Sequence, residues 1–468
     1  MSVRQAQGAP SSADRVALPV RYPDLDSPRV MGRRAWWLVA LGFLIPGSAQ
    51  VLAGNRRLGR FGLATTIVFW VLLVALLVLF LASRALFIDV MTNAFVLVLA
   101  QILIVGYAVL WILLTIDTLR LVRLVRLGAA ARAGIGFVAV VLLALFGGGG
   151  AWAFMIAGST RSAISSVFAG QDIEPPVDGY YNILLLGGDS GPDRDGLRPD
   201  STTVLSVNAQ TGQATTYGLP RDLQYAPFPE DSPMHALYPD GYGADGCDVD
   251  VCQLNSIYTE VELYHPDLYP DAAAEGSSPG IEAMRDAAEG ALGIPIQYFV
   301  LVDMQGFQQL IDALGGVTID VQERLPVNGD WEDGQVVVEP DYWIEPGVQV
   351  LDGYNALWYA RSRYTTSDYD RMARQHEVEE AIMRQFEPAT VLARFQDIAA
   401  AGAQTVRTDV PQAMLGEFVD LASKARDQDV VSIEMTPPTI DPANPDYAYM
   451  RQLVYDSRSH PDATTAPQ

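Results

Sequence analysis

The chain has 468 residues, half of them hydrophobic, with a formal net charge of −24 and two cysteines. The charge is unevenly spread: residues 1–158 hold 14 arginines against 5 acids, a net of +9, and residues 159–468 hold 17 basic residues against 50 acids, a net of −33. So acidic a second part repels a nucleic-acid backbone. The absence of a Gly-rich nucleotide loop and of a nucleophile elbow argues against nucleotide-driven chemistry and covalent hydrolysis.

In chain order, a polar, Pro-rich arm over residues 1–34 has no apolar core of signal-peptide kind and reads as disordered and cytoplasmic. Residues 35–158 read as a membrane anchor. Three apolar runs near residues 61–82, 91–116 and 135–157 each suffice to cross about 30 Å of hydrocarbon. Arg120, Arg123, Arg126 and Arg132 hold the loop between the second and third runs in the cytoplasm, which places the acidic part outside. The stretch "WWLVALGFLIPGSAQVLAG" near residues 36–53 has arginines on both sides and is broken by Pro46 and Gly47, so it reads as a re-entrant hairpin, with a fourth span as the alternative.

After a linker over residues 159–179, an α/β domain is expected over residues 180–455, followed by a disordered tail over 456–468. "YYNILLLGGD" is a buried strand, and "STTVLSVNAQTGQATTYGLPRD" alternates about a Gly-containing turn as a hairpin does. "SPGIEAMRDAAEGALG" carries helix start and stop signals, and "QYFVLVD", "MQGFQQLIDALGG" and "VTIDV" follow as strand, helix and strand. Strands alternating with helices predict a central sheet covered on its faces. Cys247 and Cys252, both on the outer side, are expected to pair as a disulfide.

The chemistry-bearing residues are carboxylates and arginines. Asp189 lies just past the first strand and Asp200 at the start of the next, where the pair could share one Mg²⁺. Arg198 and Arg221 flank the same hairpin. "YARSRYTTSDYDRMARQ" then gathers Arg361, Arg363, Arg371 and Arg374 within fourteen positions, and Arg361 and Arg363 have no acid at hand. If "LWYARSRY" runs extended, these two point to one face; if helical, they diverge. Arg371, Arg374 and Gln375 share a face of the helix expected next. Forked guanidinium groups on adjoining elements suit a pyrophosphate, and the set competes with a plainer reading as surface salt bridges.

"NILLLGGDS", "RPDSTTVLSVNAQTGQATTYGLPRDL", "QLNSIYTEVEL", "ALGIPIQYFVLVDMQGFQQLIDALGGVTIDV", "LDGYNALWYARSRY" and "SDYDRMARQ" resemble, in this order, the motifs of the LytR-CpsA-Psr family over about residues 180–435. The resemblance implies an extracellular αβα sandwich with a central mixed sheet, carried by an α-helical multi-span anchor in the cell membrane. It implies a phosphotransferase that moves a glycopolymer, such as arabinogalactan or a teichoic-acid-like polymer, from a polyprenyl-pyrophosphate carrier to peptidoglycan through a phosphodiester. The metal aspartates match Asp189 and Asp200, with Mg²⁺ as cofactor, and the pyrophosphate arginines match Arg198, Arg221, Arg361, Arg363 and Arg374, beside Gln375. Asp200 or Asp222 would take the acceptor proton, or Asp222 would only orient Arg221. An apolar tunnel for the lipid would be walled by Phe299, Leu301, Phe307 and Leu310. His376 stands where a second glutamine is usual, Gly191 and Pro192 where an arginine is frequent, and Gln253 where a lysine is common. A polyprenyl-pyrophosphate hydrolase and a non-catalytic envelope binding module are the rival readings.

Overall fold

The computed structural model describes residues 20, 21, 23, 27–170, 173–189, 198–332, 335–362, 364, 368–385, 406–426 and 428–459. Most of the expected arm, the end of the tail, Arg363, Gly191 and Pro192 lie outside them. The chain divides into two compact units, residues 1–159 and 160–468.

The first unit is helical: α1 (Pro28–Leu44), α2 (Ser48–Ala53), α3 (Arg56–Ala82), α4 (Arg84–Thr92), α5 (Ala94–Val122) and α6 (Ala129–Val167), the last running past the unit boundary. Three helical stretches, Arg56–Ala82, Phe95–Arg126 and Ala129–Gly158, are long and apolar enough to cross a membrane. They contain the first and third runs read from the sequence, and the second from residue 95 onward. The stretch over 36–53 divides at Ile45–Gly47 into α1 and α2, because Gly47 takes a left-handed φ of 93°. A Cβ at Gly47 would meet the Gly59 carbonyl oxygen at 2.5 Å, so the turn packs directly on the backbone of α3.

In the second unit the chain runs β1 (Phe168–Gly170), β2 (Tyr180–Asp189), β3 (Arg198–Asn208), β4 (Ala214–Leu219), α7 (Pro233–Leu237), α8 (Leu254–Tyr264), α9 (Pro279–Leu292), β5 (Tyr298–Asp303) and α10 (Met304–Leu314). The short strands β6 (Val317–Val321), β7 (Leu325–Val327), β8 (Asp330–Glu332), β9 (Gln335–Val338), β10 (Tyr342–Ile344) and β11 (Gly347–Leu351) follow. The rest is α11 (Gly353–Arg361), α12 (Asp368–Gln385), β12 (Val406–Pro411), α13 (Leu415–Ala425), β13 (Val431–Glu434) and α14 (Tyr447–Ser459). Seven strands form one sheet in the order β1-β12-β5-β2-β3-β4-β13. Its central pairs β5–β2 and β2–β3 are parallel and antiparallel, so the sheet is mixed, as expected.

Strand alternation sorts the side chains into two layers. Leu184, Leu186, Val204, Tyr217, Phe299 and Leu301 pack with Ile257 and Val261 of α8, Ile281 and Met284 of α9, and Met450 and Val454 of α14. Tyr181, Ile183, Val207 and Tyr298 point the other way, with Leu421 of α13. α12 packs over β4 and β6. α9 opens on Pro279 at its first turn and closes on Gly293 in the left-handed region, as its sequence signals require. Cys247 and Cys252 stand with their sulfurs 2.06 Å apart in the loop before α8.

Candidate active site

The site is assembled at the ends of β2 and β3. The two strands pair down to Asp189 opposite Arg198, with a register shift at Gly187 and Gly188 that leaves Asp200 as the extra residue between Pro199 and Ser201. A bulge of this kind re-aims the side chain it carries. The Asp200 carboxylate accepts from Arg221 Nη1 at 3.0 Å, just beyond the end of β4. The Arg221 loop is fixed from behind by the first turn of α8: Asn255 N–H donates to the Arg221 carbonyl at 3.1 Å, and Leu254 N–H to that of Leu223 at 2.9 Å.

α12 closes the site. Arg371 makes a fork with Asp368, Nε and Nη2 each 3.0 Å from a carboxylate oxygen, and turns Nη1 and Nη2 onto the Asp200 carbonyl at 3.3 and 3.2 Å. Asp368 also lies 3.4 Å from Arg221 Nε. Two carboxylates and two guanidinium groups thus hold one another in place, and their net charge is zero. Arg361, the last residue of α11, adds a further positive charge at the same opening and lies 5.7 Å from the Trp358 ring centroid.

One cavity of about 580 Å³ runs from this polar cluster into an apolar interior. Asp200, Arg221, Asn255, Arg361, Arg371 and Gln375 line its polar part. Leu185, Val300, Val302, Phe307, Leu310 and Ile382 line the apolar part, between the sheet and helices α10, α11 and α12. Glu379 also lines it, one helical turn beyond Gln375. Burial pushes this carboxyl up to about 8, an effect the Thr203 hydroxyl only partly opposes. The cavity therefore joins a cationic opening to an apolar chamber, and the Glu379 carboxyl that lines it is held mostly protonated near neutral pH.

The LytR_cpsA_psr family model matches residues 157–458. The chain belongs to that family. It is 29% identical over 239 residues to the polyisoprenyl-teichoic acid–peptidoglycan teichoic acid transferase TagU of Halalkalibacterium halodurans, an overlap of 49% of this chain and 61% of that protein. The chain therefore spans about three fifths of that relative's length. It is 25% identical over 332 residues to the corresponding transferase TagT of Bacillus subtilis, covering 68% of this chain and 88% of the relative. The crystal structure of B. subtilis TagV matches with a TM-score of 0.42 and 20% identity, over 61% of this chain and 98% of that one.

Within this LytR_cpsA_psr chain the structure brings together Asp200, Arg221, Arg361 and Gln375 around the cavity. Of Asp189 and Arg198 the backbone alone is described, and it places both at the strand ends beside Asp200. Asp222 does not line the cavity; its Oδ1 is buried with no hydrogen-bond partner among the described residues. Arg374 faces away from the cavity. Its Nε donates to the Tyr359 carbonyl at 3.0 Å and its Nη2 to the Ser362 carbonyl, so it ties down the C-terminal end of α11. "LWYAR" is helical, not extended, because Asp352 caps α11 by accepting from Asn355 N–H.

The tunnel wall also differs from expectation. Phe307 and Leu310 line the cavity, but Phe299 and Leu301 lie in the opposite layer of the core, and Val300 and Val302 stand in their place. Three site features went unread in the sequence: the grip of Arg371 on Asp200, the bridging role of Asp368, and Glu379 in the cavity. The spacing of Arg371, Gln375 and Glu379, four residues apart, was the available signal for the first and last, since such residues stack on one helix face.

Proposed function

We propose that this protein is a membrane-anchored phosphotransferase that moves a glycopolymer from a polyprenyl-pyrophosphate carrier to peptidoglycan, with its second unit on the outer face of the membrane. The observation that carries this reading is the single cavity with arginines and a carboxylate at one end and aliphatic walls at the other. An amphiphile with an anionic head and a long apolar chain is the ligand such a cavity fits. Each methylene withdrawn from water contributes about 0.8 kcal/mol, so the chain supplies much of the affinity and the head supplies the position. The names of the relatives, transferases of polyisoprenyl-linked teichoic acid, agree with this assignment. The same reading keeps Cys247 and Cys252 bonded in the oxidising space outside the membrane.

In the reaction the acceptor sugar hydroxyl attacks the glycan-bearing phosphorus. The new P–O bond forms as the P–O bond to prenyl phosphate breaks, and prenyl phosphate leaves. Arg221 and Arg361 hold the phosphate oxygens as charge moves onto the leaving group, and Gln375 donates alongside them. The proton of the hydroxyl passes to a carboxylate. Asp200 lines the cavity and is the carboxylate in reach of that hydroxyl, whereas Asp222 does not line it, which favours for Asp222 the role of orienting the neighbouring Arg221. Asp200, the bulge residue at the strand end, and Asp189, whose backbone ends the neighbouring strand, would hold Mg²⁺, which takes carboxylate oxygens as ligands. Bound there, Mg²⁺ would neutralise phosphate charge.

The test is a transfer assay with the full chain in detergent, a short-chain prenyl-pyrophosphate glycan and uncrosslinked peptidoglycan oligomers. A phosphodiester-linked product that is lost in Asp200→Asn and with EDTA supports the reading. Release of free phospho-glycan without linkage overturns it in favour of hydrolysis.

A further inference from the structure

On the other side of the sheet from the cavity, in the α8 layer, a second cluster of titratable groups has no part in the chemistry above. Glu260, on α8, is completely buried. Its Oε1 accepts from the Tyr238 hydroxyl, and its Oε2 accepts from the Tyr242 hydroxyl at 2.5 Å. Burial, reinforced by this carboxylate, pushes both phenols well above their ordinary range, so both remain donors. Glu260 is then held as an acceptor with lone pairs to spare on each oxygen.

A buried carboxylate needs a positive partner. Among the described residues the one basic group within ion-pair distance is His265, whose Nε2 lies 4.0 Å from Glu260 Oε1. His265 is the residue at which α8 ends, and the turn of the chain there brings its ring back over the helix. The same Nε2 is 2.8 Å from Asp248 Oδ2, on the loop bounded by Cys247 and Cys252. One ligand atom from each of the three residues lies within 4.8 Å of the other two.

We propose that Asp248, Glu260 and His265 form a divalent-cation site, of a class suited to zinc, separate from the phosphate site. One imidazole nitrogen and two carboxylate oxygens are a ligand set zinc accepts, at about 2.0–2.2 Å from the ion. Ligands at that radius stand about 3.3–3.6 Å apart in tetrahedral and about 2.8–3.1 Å apart in octahedral arrangement. The two separations from His265 Nε2, 2.8 and 4.0 Å, bracket this range, and the ligand atoms of Asp248 and Glu260 lie within 4.8 Å of each other, so shifts of up to about an ångström close the three around one ion. Asp248 has the freedom to move, since its side chain is 59% exposed. That exposed side leaves room for water as the remaining ligand. The two tyrosine hydroxyls fix the deep carboxylate as outer partners of metal ligands do. A cation here would bind the loop of residues 247–252 to the C-terminal end of α8.

The experiment uses the full chain in detergent, stripped with EDTA and dialysed against zinc, with magnesium in parallel. Metal content and melting temperature are read for Asp200→Asn, a background in which the phosphate site does not contribute, and for His265→Ala, Asp248→Asn and Tyr242→Phe added to it. The expected result is one zinc per Asp200→Asn chain with a raised melting temperature and no such shift with magnesium. His265→Ala and Asp248→Asn should lose that zinc, and Tyr242→Phe should weaken it about tenfold. Equal zinc uptake with and without Asp248→Asn, an exposed and near-isosteric change, overturns the proposal and leaves an imidazolium bridging two carboxylates.

Discussion

Arg371 on α12 holds the backbone carbonyl of Asp200 with both terminal nitrogens, at 3.3 and 3.2 Å, across 171 residues of sequence. The contact fixes the bulge that carries the proposed metal and phosphate carboxylate, while the rest of the guanidinium is occupied by Asp368. A lysine cannot reproduce a fork that reaches two acceptors at once. Arg371→Lys is therefore expected to lower kcat for transfer about 10²-fold, a loss typical of a misplaced catalytic group. KM for the lipid donor should change little. A variant with unchanged kcat would show that Asp200 keeps its place without this grip.

Arg374 and Arg361 should behave oppositely, although the sequence groups them. The Arg374 side chain is 8% exposed and donates to the carbonyls of Tyr359 and Ser362 at the end of α11. Removing it leaves buried acceptors unpaired, so Arg374→Ala should cost about 3 kcal/mol of stability. Arg361 is exposed at the cavity opening. Arg361→Ala should change stability by less than about 1 kcal/mol and still weaken prenyl-pyrophosphate binding about tenfold or more. Chemical denaturation paired with a lipid-binding titration separates the two, and a matched stability loss in both variants would contradict the assignment.

What the sequence disclosed follows from where its signals are local. The β3–β4 hairpin was legible because apolar alternation and a Gly-containing turn act over a few residues, and it carried Asp200 and Arg221 with it. The three apolar helices were legible by length alone. The conformation of α11 stays open in the sequence because "LWYARSRY" mixes aromatics and arginines without a helical stripe, and its helix is decided by Asp352 and Gly353 upstream. A Cβ at Gly353 would meet the Gln308 carbonyl oxygen at 2.0 Å, so the start of α11 rests directly on α10. The turn of Arg374 away from the cavity could not be seen because it depends on carbonyls 12 and 15 residues away.

Glu379 gives the protein a pH dependence of defined sign. Its folded-state value of about 8 lies above that of an unfolded glutamate. Between about pH 4.5 and 8 the folded state thus keeps a proton that the unfolded chain has released. The associated stability is complete below about 4.5 and is lost as pH rises through 8. Glu289 on α9, raised to about 7 by burial and partly opposed by the Ile296 N–H, adds a loss of the same sign ending a unit lower. Glu379→Gln should flatten the upper part of the profile and stabilise the protein at pH 8 by on the order of 1–3 kcal/mol. Denaturant midpoints from pH 5 to 9 measure this, and parallel curves for the two proteins would contradict it.

The last prediction rests on strand parity. β5 is covered on both faces, so "YFVLVD" is a continuous apolar run, and such a run does not disclose which set of alternate residues faces which layer. Phe299 and Leu301 are core, 0% and 6% exposed, and Val300 and Val302 line the cavity. Leu301→Ala should create a void against α8 and α9 and cost about 2–5 kcal/mol, with the KM of the folded protein for lipid donor unchanged. Val302→Phe places its added atoms in the 580 Å³ cavity, where they displace no packed side chain. It should change stability by less than about 1 kcal/mol and still raise KM for long prenyl donors, because it removes space that their methylenes would fill. Short-chain donors, which leave the inner chamber empty, should be affected less. Melting curves and donor-length series on the two variants decide the point: a KM change in Leu301→Ala with none in Val302→Phe would place the lipid on the other face of the sheet.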